Sequence, residues 1–145
     1  MKVALGMPAS VKAISSNIQF TYIQNTNNKV QISVSQWYQD YPAPSDFLNV
    51  LLGCGTFHPG SDNSPNIAGF CDKTIQDKMN AALALSVTDP AGANKEWAVI
   101  DRMMADQAPV AVLFTPKYID FLSKRVGNYI WSAQFYMIFD QAWVQ

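Results

Sequence analysis

The chain has 145 residues, of which 10 are Lys or Arg and 11 are Asp or Glu, giving a net charge of -1. This length suits a single domain with a sizeable core, and 49% hydrophobic residues exclude disorder of the whole chain. Because the sequence has no basic excess and no run of about 18 apolar residues, we expect neither nucleic-acid binding nor a membrane-spanning segment.

The first half of the chain predicts two strands and a short helix. Apolar and polar residues alternate over 18–23 and over 30–37, which is typical of half-buried strands. Pro42 and Pro44 then keep the chain extended. Ser45 is a suitable N-cap for a helix that Gly53 ends. Residues 53–71 are rich in Gly, Pro, Ser and Asn and predict a long loop.

The second half predicts two helices and several strands. Asp72 caps one helix, and the pair Asp89 and Pro90 begins another. The expected apolar faces are Ile75, Met79, Ala82 and Leu83 in the first helix, and Ala93, Trp97, Ile100 and Met104 in the second. The apolar run 110–114 predicts a strand covered on both faces. A short helix near 118–122 and strands at 128–131 and 134–138 follow, so we expect the α/β class.

The two cysteines, Cys54 and Cys71, border the Gly- and Pro-rich stretch, which favours a disulfide and an oxidising compartment. A hydrolase would instead use Cys54 as nucleophile and His58 as base, but the loop fixes no geometry between them. A metal site would combine both cysteines with His58 and Asp62, without the closely paired ligands of zinc sites. We therefore expect no catalysis, no metal and no cofactor.

An acidic residue lies among aromatic residues in the stretch from Trp37 through Tyr38, Gln39 and Asp40 to Tyr41. This stretch follows a predicted strand, and ligands of α/β folds bind beyond the C-terminal ends of strands. A carboxylate beside large rings would hold an ammonium group by charge and cation–π attraction. The alternative, which the residues favour equally, is that the aromatic rings are core residues and that the carboxylate belongs to an exposed turn.

The twelve residues from Trp37 to Leu48 read Trp-Tyr-Gln-Asp-Tyr-Pro-Ala-Pro-Ser-Asp-Phe-Leu. They resemble the signature Gly-Trp-x-x-Asp-Tyr-x-x-Pro-x-x-Phe-Leu of the family 5 extracellular solute-binding proteins, the peptide-binding components of ABC importers. Further similarity lies in residues 63–66, 69–72, 89–90, 108–109 and 127–144, so the resemblance covers about 30–145. The Gly before the Trp of the signature is Gln36 here.

The resemblance implies the C-terminal lobe of a two-lobed, periplasmic-binding-protein-like (type II) fold, with a mixed sheet and flanking helices. Residues 1–145 would be a single lobe of a larger protein, and about 126–145 would return to the other lobe. The apolar core within residues 1–13 is too short for a signal peptide, so we expect a mature protein or a fragment. As a fragment it would expose apolar surface and self-associate.

The resemblance also implies a function. Asp40 would bind the α-amino group of a peptide, Trp37 would line the pocket, and Tyr38 and Gln39 would offer backbone hydrogen bonds. The protein would be extracytoplasmic, in a periplasm or as a cell-surface lipoprotein, and would deliver its solute to ABC permease subunits. The same fold binding an oligosaccharide, an opine or a nickel chelate is the alternative, followed by a Cys/His hydrolase or a ligand-free interaction domain.

Overall fold

The computed structural model describes Gly6 and residues 8–145, so the expectation about residues 1–13 lies partly outside the described residues. The described chain is a small mixed helix and strand domain with four α-helices and two small antiparallel sheets. The helices are α1 (Ser16–Gln24), α2 (Ser45–Leu52), α3 (Lys73–Leu85) and α4 (Pro90–Gln107). The strands are β1 (Val126–Gly127), β2 (Trp131–Ser132), β3 (Tyr136–Met137) and β4 (Trp143–Val144).

The core lies between α3 and α4, which are joined by the short link 86–89. The predicted caps of these two helices, Asp72 and Asp89, are confirmed, whereas the prediction that Ser45 caps α2 is wrong. The Asp72 carboxylate accepts a hydrogen bond from the backbone N–H of Ile75 at 3.0 Å, and the Asp89 carboxylate accepts one from Gly92 at 2.9 Å. All residues of the two predicted apolar faces are buried except Leu83. Together with Leu52 of α2 they form the core, which comprises Leu52, Ile75, Met79, Ala82, Ala93, Trp97, Ile100 and Met104.

Helix α2 also forms where the sequence predicts it, but Ser45 is its first residue and Pro44 holds the cap position. The helix ends at Gly53, whose N–H donates to the Asn49 carbonyl oxygen at 3.1 Å. A side chain at position 53 would collide with that carbonyl oxygen, so the stop requires glycine.

The prediction of a strand over 18–23 is wrong, because this stretch lies in α1. Residues Phe20, Ile23 and Gln24 share one face of a helix at i, i+3 and i+4, and Ile23 and Gln24 are both buried. Two consecutive residues of a strand point to opposite faces, so a helix buries this pair more readily.

Two further strand predictions are also wrong. Residues 30–37 and 110–114 form no strand, and their side chains Ile32, Val34, Val112 and Phe114 are exposed. A strand needs a neighbour for its backbone N–H and C=O groups, and the predicted neighbour of 30–37 is helix α1. The helix predicted near 118–122 is also absent from the structure.

The C-terminal strands are shorter than the sequence predicts, and each pair is antiparallel. β2 pairs with β3, with Trp131 opposite Met137, and these strands fall within or beside the predicted 128–131 and 134–138. β1 pairs with β4, with Gly127 opposite Trp143. The indole ring of Trp143 lies over Gly127 so closely that a side chain there would overlap it. The larger mixed sheet of a two-lobed fold is not seen in the described residues.

Replacing Ile100 by Ala should lower the free energy of unfolding by about 2–5 kcal/mol, because Ile100 is 0% exposed between α3 and α4 and its truncation leaves a cavity. Urea unfolding monitored by circular dichroism measures this change. The adjacent Val99 is 48% exposed, so Val99→Ala should have a much smaller effect. Equal losses in the two variants would contradict this description of the core.

Candidate functional site

The predicted binding stretch folds around a buried carboxylate, that of Asp46 in the first turn of α2. Asp46 is 0% exposed. Its Oδ2 accepts a hydrogen bond from the backbone N–H of Asp40 at 2.8 Å, and its Oδ1 accepts a longer one from the indole Nε1 of Trp37 at 3.4 Å. Burying a carboxylate is costly unless it is hydrogen-bonded, so these two bonds fix the shape of the turn between Trp37 and α2.

Asp40 itself lies on the surface of this turn. Its backbone is held on both sides, because its N–H donates to Asp46 and its carbonyl oxygen accepts a hydrogen bond from the Gln134 side chain at 2.6 Å. The residue is exposed, and its carboxylate makes no hydrogen bond to any residue within the described chain. The structure therefore presents a carboxylate on a fixed backbone to solvent.

Trp37 and Tyr38 contact different parts of the molecule. The ring of Trp37 packs at a centroid distance of 6.2 Å from Phe20 of α1. Tyr38 joins a group of three phenols, the tyrosine cluster, in which the Tyr38 and Tyr118 rings are 6.3 Å apart and the Tyr118 and Tyr136 rings are 4.4 Å apart. Hydrogen bonding to Tyr136 and, to a smaller extent, desolvation raise the pKa of Tyr118 well above its ordinary value.

Of the four residues that the resemblance implies as ligand-binding, the structure brings Trp37 and Asp40 together through Asp46. The side chain of Tyr38 lies in the tyrosine cluster and Gln39 is half-buried, while the prediction that their backbone groups bind a ligand stays a prediction. Sequence reasoning missed Asp46. Its available signal was a carboxylate in the first turn of a predicted helix, where backbone N–H groups favour a negative charge.

The predicted disulfide between Cys54 and Cys71 is confirmed, with the two Cα atoms 4.6 Å apart. It closes the loop 53–71 at its base. Because the sulfur of Cys54 is bonded to Cys71, it has no thiol to act as a nucleophile while the bridge is intact. The neighbouring His58 is exposed, and its backbone N–H donates to the Ser64 hydroxyl oxygen at 2.9 Å.

Buried amide groups hold the interior of this loop. Asn66 is 0% exposed and donates from Nδ2 to the carbonyl oxygens of Gly53 at 2.9 Å and Phe70 at 2.7 Å. The Gln24 side chain of α1 accepts a hydrogen bond from the backbone N–H of Ser64 at 2.9 Å. These contacts join the loop to its own base and to α1 without a charged group.

Two grooves lie on the surface of the described domain. One, of about 390 Å³, runs between α2 and α4 and is lined by Pro44, Phe47, Leu48, Asn94, Trp97, Ala98 and Asp101. The other, of about 230 Å³, lies beside α1 and is lined by Ile18, Thr21, Tyr22, Asn28 and Asp62. Neither groove is lined by any of the four residues predicted to bind a ligand.

Within the described residues, no three His, Cys, Asp or Glu side chains lie close enough together to hold a metal ion, and Asp62 instead accepts a hydrogen bond from Asn25 at 2.7 Å. None of the described helices combines the length and the apolar character that a bilayer span requires. Comparisons with models of protein families, with curated proteins and with solved structures find no match to this chain.

Replacing Asp46 by Ala should lower the free energy of unfolding by about 1–3 kcal/mol, because it leaves the backbone N–H of Asp40 and the Trp37 indole without their acceptor. Urea titration measures this loss. Asp77→Ala, at an exposed position of α3, is the matched control and should change stability little. A loss no larger than that of the control would show that the turn does not depend on Asp46.

Reducing the disulfide should lower the free energy of unfolding by about 3 kcal/mol, because the bridge spans 17 positions and restricts the unfolded chain. Thermal unfolding with and without dithiothreitol measures this effect. The double variant C54S/C71S should match the reduced protein and should not respond to dithiothreitol. If dithiothreitol destabilised the double variant as much as the unchanged protein, the effect would not come from this bridge.

Proposed function

We propose that this protein is a solute-binding protein of an ABC importer, and that Asp40 binds the ammonium group of a peptide or a related amine. The observation that carries the proposal is the exposed Asp40 carboxylate on a backbone held by Asp46 and Gln134. Because the backbone of Asp40 is already held, pairing of its carboxylate with a cation costs only the conformational freedom of one short side chain.

The surroundings of Asp40 support an amine as the ligand. Tyr38 lies two residues before Asp40, and Tyr136 lies two residues after Gln134, whose side chain contacts the Asp40 carbonyl group. Aromatic faces close to a carboxylate attract an ammonium group through the electric quadrupole of the ring. The tyrosine cluster would thus form one wall of the site, and the carboxylate would supply the charge.

The disulfide supports an extracytoplasmic location, because such bridges persist in oxidising compartments and are rare in the reducing cytosol. The same location is where a solute-binding protein captures its ligand before the permease takes it. A binding role also agrees with the disulfide. Because Cys54 is bonded to Cys71, His58, the only histidine of the sequence, has no cysteine thiol to activate as a nucleophile. We therefore propose binding and delivery without catalysis, by closure of two lobes on the solute.

Binding of the tripeptide Ala-Ala-Ala, compared with its N-acetylated form, tests the proposal by calorimetric titration of the purified protein. Acetylation removes the charge of the amine, and we expect affinity to fall at least tenfold, which corresponds to about 1.4 kcal/mol. Asp40→Asn should reduce the affinity for the unmodified peptide by a similar factor. Asp77→Asn, which removes an exposed carboxylate from α3, should leave the affinity unchanged.

Equal affinity for the two peptides would overturn the role of the ammonium group. If Asp40→Asn binds the unmodified peptide as tightly as the unchanged protein does, while acetylation still weakens binding, the amine is bound by a residue other than Asp40. Failure of both peptides to bind would overturn peptide capture, and titration with an oligosaccharide or a nickel chelate would then test the remaining solute classes of the resembled family.

A further inference from the structure

The rings of Tyr118 and Tyr136 lie in direct contact at the surface of the domain. Their centroids are 4.4 Å apart and their planes are inclined by 34°. Aromatic pairs in proteins have centroids about 4.5–7 Å apart, so this pair is at the short limit of that range. Hydrogen bonding to the Tyr136 side chain raises the pKa of Tyr118, which indicates that the two hydroxyl groups lie at the same end of the pair. The ring carbons beside those groups, the ortho carbons, therefore also lie close together.

The backbone of Tyr136 is held in an unusual conformation. Its φ is 57°, in the left-handed region that a bulky side chain rarely adopts. Such a conformation persists only where the surrounding structure enforces it. Here the residue begins β3 and lies opposite Ser132 of β2. The hairpin thus fixes the backbone from which the Tyr136 phenol meets Tyr118.

The other tyrosines are placed differently. The sequence has six, and within the described chain the ring of Tyr38 is the next nearest to Tyr118, at 6.3 Å. The remaining three, whose hydroxyl groups contact the side chains of Lys12, Ser45 and Asp120 respectively, are Tyr22, Tyr41 and Tyr129. Tyr118 and Tyr136 are therefore the two phenols that the fold brings closest together.

We propose that Tyr118 and Tyr136 are a modification site at which oxidation joins the two rings as dityrosine, through a bond between one ortho carbon of each. The co-reactant is a one-electron oxidant of phenols, such as a peroxidase with hydrogen peroxide. Tyr118 is 50% exposed, so an oxidant can reach it from solvent. A chain with a disulfide also suits an oxidising compartment, where such an oxidant persists.

The coupling step balances without any further reagent. Each phenol loses one electron and one proton, and the resulting phenoxyl radical has spin density at its ortho carbons. One carbon–carbon bond forms between the two rings. Each bonded ortho carbon then loses its hydrogen as a proton and each oxygen regains one, which restores two aromatic phenols. Two carbon–hydrogen bonds are broken in total, and hydrogen peroxide takes up two electrons and two protons to give two molecules of water.

The bond would anchor a part of the chain that has few other attachments. The backbone N–H and C=O groups of residues 110–122 make no hydrogen bond to the rest of the described chain. The side chains of Tyr118 and Asp120 hold this segment, through Tyr136 and Tyr129. Dityrosine would join the segment to the β2–β3 hairpin by a bond that, unlike the disulfide, a thiol reductant does not cleave. This modification goes beyond the proposed binding of a solute and does not depend on it.

Treating the full chain with horseradish peroxidase and hydrogen peroxide tests the proposal. A protein concentration of about 1 μM keeps coupling between copies slow, because two groups within one chain have an effective concentration in the millimolar range or above. We expect the fluorescence of dityrosine in a product of monomeric mass. Trypsin separates the two tyrosines into the peptides 118–124 and 126–145, since it cuts after lysine and arginine. Mass spectrometry should find these two peptides joined, with the loss of two hydrogen atoms, and fragmentation should place the bond at Tyr136.

Variants without one hydroxyl group test the pair directly. Tyr118→Phe and Tyr136→Phe should each lower the yield of dityrosine at least tenfold, because phenylalanine has no O–H group to oxidise and the remaining phenols are farther apart. Tyr129→Phe is the matched control, since Tyr129 is half-buried like Tyr136 and lies in the same tryptic peptide. Its yield should equal that of the unchanged protein.

Three results would overturn the proposal. The first is the absence of dityrosine from the oxidised unchanged protein. The second is dityrosine that joins two copies, seen as a doubled mass, or that joins Tyr38 instead of Tyr136 to Tyr118. The third is an equal yield in Tyr136→Phe and Tyr129→Phe. The peptide map uses the unchanged protein, so its result does not depend on how any variant folds.

Discussion

The closure of loop 53–71 at its base determines how α2 is joined to the helix pair α3 and α4. The bridge between Cys54 and Cys71 brings the end of α2 to the start of α3, and Asn66 ties the loop interior to Gly53 and Phe70. Without this closure, the link between α2 and the α3–α4 pair would be a long, irregular chain whose ordering costs conformational entropy. The predicted site lies in the turn before α2. By fixing the end of α2, the bridge also holds this turn in position relative to the core.

The candidate site shows a division of roles between two carboxylates that are six residues apart. Asp46 is buried and uses its oxygens on the Trp37 indole and the backbone of Asp40, so it shapes the turn. Asp40 gives its backbone to the same turn and leaves its carboxylate exposed to solvent. Asp46 therefore fixes the backbone that carries the exposed Asp40 carboxylate, so the turn needs no further ordering to present that carboxylate.

Predictions that rested on helix caps and on the cysteine pair were right, whereas predictions of strands from the alternation of apolar residues were mostly wrong. The caps Asp72 and Asp89 act on N–H groups three residues away, so the sequence contains the whole interaction. The strand predicted over 110–114 depended on neighbours that alternation alone cannot identify, and the segment is exposed. For the candidate site, the sequence predicts Asp40 and Trp37 but gives no sign that Asp46 is buried between them, since burial of a carboxylate depends on the tertiary structure.

The uncharged character of the loop interior has a consequence for the conditions in which the protein can work. The amide groups of Asn66 and Gln24 do not titrate, so acid leaves their hydrogen bonds in place. A salt bridge, in contrast, is lost when acid protonates its carboxylate. Dissolved salt also screens charge pairs far more than it weakens hydrogen bonds between buried neutral groups. Changes in acidity and salinity should therefore leave the hydrogen bonds of the loop interior intact, whereas a reducing agent removes the covalent closure of the loop.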